Sequence, residues 1–105
     1  MSVQAVNDAT FRGAIRAEGV TLADFGAPWC PPCRALEPVI EELAGEFGNR
    51  AAVVAVNCDE SPKTAADFGV MSLPTVIVFH NGEPVEKLGG LRPATAYRSL
   101  IEKLL

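Results

Sequence analysis

The sequence is poor in several things, and each shortage removes a class of function. It holds one histidine and three cysteines among 105 residues. A structural zinc site takes about four ligands, yet Cys30 and Cys33 are the one closely spaced pair, and neither Cys58 nor His80 belongs to a second. No metal site is expected. The odd cysteine count argues against a secreted disulfide scaffold and fits one redox pair plus a spare thiol in a reducing, cytoplasmic compartment. The nine basic residues are scattered and the net charge is −4, so no basic stripe offers itself to nucleic acid or an anionic membrane. No apolar run approaches the roughly 20 residues of a membrane span. Met1 to Asp8 has neither the basic start nor the apolar centre of a signal peptide and is not expected to act as one. Repeats, low-complexity tracts and linkers are lacking too. A chain of this length, 49% apolar, suffices for one core, so a single domain over residues 1–105 is expected.

What is present centres on Trp29-Cys30-Pro31-Pro32-Cys33-Arg34, just after an apolar strand-like run and just before a strongly periodic helix. A thiol at a helix start lies beside unpaired N–H groups and the positive end of the helix dipole, which favour thiolate over thiol. The thiolate is the nucleophile of disulfide exchange. The placement therefore points to a redox pair, against the alternatives of a metal pair or an inert buried one.

Asn7 to Thr10 offers N-cap side chains, and Phe11, Ala14, Ile15 and Glu18 continue at helical spacing until Gly19. Val20 to Phe25 reads as a buried strand with one carboxylate, Asp24. After the cysteines, Leu36, Val39, Ile40, Leu43, Ala44 and Phe47 share one helix face. Pro38 should kink this helix, and Gly45 with Gly48-Asn49 should end it. Ala51 to Val56 is a second buried strand. Ser61-Pro62 reads as N-cap and first residue of a short helix closing at Gly69. Pro74 to Phe79 is a third strand, and Asn81-Gly82 turns it back through Glu83 to Leu88, with Pro84 marking an edge. Pro93 opens a last helix carrying Tyr97, Leu100, Ile101 and Leu104. A short strand near Val3 to Val6 adds another edge. The order implies an α/β fold: a mixed central sheet of four to five strands with helices on both faces.

Over essentially its full length the chain resembles the thioredoxin family. The resemblance rests on Asp24-Phe25, Ala27-Pro28-Trp29-Cys30-Pro31-Pro32-Cys33-Arg34, Pro38, Asn57 with Asp59, Val70 to Pro74-Thr75, Phe79 with Asn81-Gly82-Glu83, and Gly90. It implies the thioredoxin fold and a protein-disulfide reductase that binds no cofactor. It makes Cys30 the attacking, partly exposed thiolate and Cys33 the buried resolving thiol. Asp24 resembles the family's buried carboxylate that exchanges protons with Cys33, and Pro74 its cis-proline. Trp29, Leu73, Pro74 and Gly90 would form the platform that receives a partner's chain. The implied partners are oxidised proteins and a thioredoxin-reductase-type flavoenzyme, with no nucleic acid or membrane, and the chain acting as a monomer.

A carboxylate buried in a strand is costly when charged, so Asp24 is expected to have a raised pKa suited to acid–base work. Cys58 reads as a buried or half-buried filler. His80, Arg34 and Lys63 read as solvated. Three departures from the family pattern stand out. Pro31-Pro32 replaces Gly-Pro, removing an N–H near the Cys30 sulfur and stiffening the loop. Gly26 stands where many relatives have tryptophan. Ala55 stands where a lysine often neighbours the buried acid, so ionised Asp24 loses a stabiliser. Two rivals to a reductase remain: the same fold run as an oxidant or isomerase, and a binding module without turnover.

Overall fold

The computed structural model describes residues 3–105; Met1 and Ser2, the start of the stretch weighed as a leader, lie outside the described residues. Five strands form one sheet: β1 Gln4–Val6, β2 Val20–Gly26, β3 Ala51–Asn57, β4 Thr75–His80 and β5 Glu83–Gly89. Their spatial order is β1-β3-β2-β4-β5. β3 runs parallel to both β1 and β2, whereas β4 and β5 run antiparallel to their neighbours. Four helices complete the fold: α1 Phe11–Ala14, α2 Pro31–Phe47, α3 Pro62–Asp67 and α4 Ala94–Leu104. This is the thioredoxin fold expected above. β2, β3 and β4 are central and nearly uncharged because both of their faces are covered.

Side chains alternate across the sheet. Val20 and Leu22 of β2 meet Leu36, Ile40, Leu43 and Phe47 of α2 and Tyr97 and Ile101 of α4. Ala23 and Phe25 turn to the other face and meet Phe11, Val54, Val56 and Phe79, with Phe68 packed alongside. The same alternation puts Asp24 on the α2 face, near the C-terminal end of β2. The hairpin turn is as expected: Asn81 and Gly82 both take positive φ, 54° and 86°, as a two-residue primed turn requires.

Two local expectations fail, each for a reason outside the element itself. The first helix stops at Ala14 and does not reach Glu18, because Ile15 is already extended and the Arg16 N–H donates to Thr21 Oγ1 at 3.0 Å. Ser61 precedes α3 but does not cap it with its side chain. Asp8, far away in the chain, accepts from the Thr64 N–H and hydroxyl at 2.7 Å each and from the Lys63 N–H at 3.3 Å. α2 ends where expected: it passes through Gly45 and runs to Phe47, and Gly48 at φ 54° closes it. The strands begin or end within a residue or two of the expected positions, and Pro93 caps α4 as its N-cap residue instead of opening it.

Candidate active site

β2 delivers the chain to Gly26, and the loop Ala27–Trp29 carries it over the sheet edge into α2. Cys30 is the N-cap residue of α2, extended at φ −94° and ψ 108°. Pro31 and Pro32 occupy the first two helical positions, where a missing N–H leaves no helical bond unmade. The third position is Cys33, whose N–H donates to Cys30 Sγ at 3.3 Å. The sulfur thus takes the place of a capping oxygen, beside the positive end of a 17-residue helix. Cys30 and Cys33 are joined by a disulfide, with Cα atoms 5.2 Å apart. Cys58 is free and half-buried, as expected.

The cysteines lie together in a small cluster with Ala27, against which Leu73 packs. The expected contrast between an exposed Cys30 and a buried Cys33 is not found, since in the disulfide form they are 4% and 6% exposed. The Cys30 N–H is drawn back to the Ala27 carbonyl at 3.2 Å, and Leu73 covers the ring. The Leu73–Pro74 peptide is cis, as expected. Pro74 is buried at the start of β4, and its carbonyl accepts from the Gly90 N–H at 2.8 Å. Gly90 holds φ at 80°, a conformation that favours glycine. Leu73, Pro74 and Gly90 therefore come together beside the disulfide. Trp29, the residue before Cys30, is 66% exposed, its indole N–H donating to Asp59 Oδ2 at 2.7 Å. Asp59 was recognised only as part of the family pattern, and no sequence spacing joins it to Trp29.

Asp24 is 8% exposed, and its Oδ1 has no hydrogen-bond partner among the described residues. Its strand neighbours are Ala55 on one side and Val76 on the other, and neither offers a donor or a charge. Burial first, and then the Glu37 carboxylate, push its pKa up to about 7. The raised value agrees with the expectation. Glu37 was missed, because an exposed glutamate on a helix looks like solvated surface; its spacing of four from Cys33 was the available signal. Two cavities flank the acid. One of about 270 Å³ is lined by Asp24, Gly26, Cys33 and Glu37 among others, and one of about 620 Å³ by Asp24, Arg34, Glu37 and Glu41. Gly26 matters here: a Cβ added to it would lie 3.2 Å from Cys33 Cβ and 3.3 Å from its sulfur. Among the described residues no group of three or more acidic, histidine or cysteine side chains could hold a metal.

A buried acid, a disulfide at a helix start and an adjoining platform together suit dithiol–disulfide exchange. A sequence model of the family described as Thioredoxin matches residues 2–103. The thioredoxin of Staphylococcus saprophyticus is 47% identical over 105 residues, the whole of both chains, and that of Bacillus subtilis is 44% identical over the same span. The solved structure of a mutant thioredoxin from Halobacterium salinarum superposes with a TM-score of 0.89 at 38% identity, covering 98% of this chain and 90% of its own. Fold, site geometry and full-length relatives agree, and the chain belongs to the thioredoxin family.

Proposed function

We propose that this chain reduces protein disulfides through a Cys-Pro-Pro-Cys site with fixed roles. Cys30 is the nucleophile: its thiolate attacks a substrate sulfur and forms a mixed disulfide. Cys33 is the resolving thiol. Asp24 accepts its proton, the Cys33 thiolate attacks Cys30 Sγ, and the substrate leaves reduced. The observation that carries this reading is Cys30 Sγ at the cap of α2, accepting the Cys33 N–H and within bonding reach of the Cys33 sulfur.

Trp29, Leu73, Pro74 and Gly90 receive the substrate chain. Leu73 lies just outside β4, and none of the hydrogen bonds among the described residues uses its backbone groups. An extended segment pairing there adds a short strand beside the disulfide. Pro31 and Pro32 tune the loop. The oxidised form is recycled by a thioredoxin-reductase-type flavoenzyme, and the chain works as a cytoplasmic, monomeric single domain. No helix among the described residues is long and apolar enough to cross a membrane.

Insulin reduction, driven by dithiothreitol or by NADPH with such a flavoenzyme, tests the reading. Activity is expected with both and should vanish in Cys30→Ser. Cys33→Ser should accumulate the mixed disulfide. Failure with both reductants would overturn the enzyme; activity with dithiothreitol alone would overturn only the recycling partner.

A further inference from the structure

Asp24 poses a problem that its own surroundings do not solve. A resolving thiol hands it a proton in every turnover, yet the acid is more than nine-tenths buried and its inner oxygen meets no donor. The proton needs a way out. Both cavities beside Asp24 are also lined by Glu37, and the smaller one reaches Cys33. Glu37 stands one helical turn beyond Cys33 on α2 and is exposed to solvent. The next residue, Pro38, has no N–H, so the Arg34 carbonyl lacks its usual helical donor along the wall of the larger cavity. That leaves room for an acceptor-lined water path between the two carboxyl groups.

We propose that Glu37 is the positioning residue for the resolving step, its carboxylate passing the proton between buried Asp24 and solvent through the groove between α2 and β3. The inference rests on the function proposed above. The balance is simple. The Cys33 thiol gives its proton to the Asp24 carboxylate, and the thiolate forms the Cys30–Cys33 bond as the bond from Cys30 to the substrate sulfur breaks. The substrate sulfur departs as thiolate with the electron pair. Before the sulfur is recaptured, the proton on Asp24 moves by way of water to Glu37 and then to bulk, so the relay limits how fast the attacking Cys33 thiolate forms. Among the carboxylates around these cavities, Glu37 lines both and is the one close enough for its charge to act on Asp24. Glu41 and Arg34 line the larger cavity but not the one that reaches Cys33, and Glu60 lines the smaller cavity only. Tyr97 on α4 is fully buried, and burial, then Asp59 and Asp24, push the Cys58 thiol up.

The test uses reduced protein in a Cys58→Ser background, mixed with the Ellman disulfide in a stopped-flow instrument. Two thionitrobenzoate releases follow: the first reports attack by Cys30 and the second resolution by Cys33. Recorded from pH 5 to 9, the second phase of the parent should rise to a plateau as Asp24 ionises. In Glu37→Gln the first phase should be unchanged and the plateau of the second about tenfold lower, a modest share of ordinary general-base effects. Acetate should restore it, and Glu37→Asp should retain most of it. Glu41→Gln should behave as the parent. An unchanged plateau in Glu37→Gln, even with a displaced midpoint, would overturn the proton route. A parent that shows no second phase would instead overturn the function on which the route rests.

Discussion

The two prolines between the cysteines decide which donors the active sulfur meets. A capping side chain accepts from the second or third helical N–H. The second position is Pro32, so the Cys33 N–H is the donor that remains. Pro31, at the first position, occupies a place whose N–H does not normally reach the cap, so its effect is mainly to stiffen the chain. Replacing it by glycine frees the dithiol form more than the closed disulfide, which makes ring closure harder. For roughly 0.5–1 kcal/mol of added chain freedom, Pro31→Gly should have a reduction potential about 10–20 mV less negative. Equilibration against dithiothreitol or glutathione measures it, and a more negative value would refute the stiffening. Gly26 acts by its smallness. In Gly26→Ala the new methyl meets Cys33 at 3.2 Å, and a cysteine tied into the disulfide cannot turn away. The oxidised protein should lose about 1–3 kcal/mol in urea unfolding, and the reduced protein, whose Cys33 can change rotamer, less.

The helix α3 shows how an element can depend on a residue that no local pattern connects to it. Its first N–H groups are satisfied by Asp8, whose carboxylate the Thr64 hydroxyl and N–H hold below the usual range. The same helix ends at Phe68, which meets Phe11 at 5.3 Å and Phe79 at 5.4 Å between ring centres. Asp8→Ala should therefore loosen α3 and the aromatic face behind it. The Lys63 and Thr64 amides should exchange hydrogen several-fold faster, in keeping with the loss of a helix cap, and the urea midpoint should fall. Protection unchanged at both amides would mean that Ser61 takes over the cap. This also explains what could be read in advance. The central strands were legible because apolar runs between glycines and prolines need no partner to identify them. The length of α1 was not, because the bond that ends it comes from Thr21. Cys30, Cys33 and the helix they start lie within one window. The grouping of Leu73, Pro74 and Gly90 beside them came from the family resemblance; the spacing of Glu37 from Cys33 was in the sequence, but only the fold shows that this helix face meets a buried acid.

For the molecule as a whole, the buried acid to which we assign the proton transfer works against stability at neutral pH. Asp24 has a folded-state pKa of about 7, against roughly 3.9 for an unfolded chain. Between those values the native state holds a proton that the unfolded state has lost, so stability falls as pH rises. The contribution is full below pH 4 and lost once pH passes about 7. At about 1.4 kcal/mol per pH unit the upper bound is roughly 4 kcal/mol. Asp8 and Glu46 have the opposite sign, since hydrogen bonds from Thr64 and Arg98 lower their values. Their effect appears only as pH falls toward the acid range, so it leaves the window from about 5 to 8 to Asp24. The urea midpoint of the oxidised protein should therefore drop steadily from pH 5 to pH 8. Asp24→Asn removes the titrating group and keeps the shape, so its midpoint should stay nearly level and exceed the parent's at pH 8. On the proposed roles, the same variant should also slow release of substrate from the mixed disulfide, since Cys33 would lose its proton acceptor. A stabilised protein that resolves poorly is the signature of a buried acid kept for catalysis. A variant as pH-sensitive as the parent would place the titrating group elsewhere.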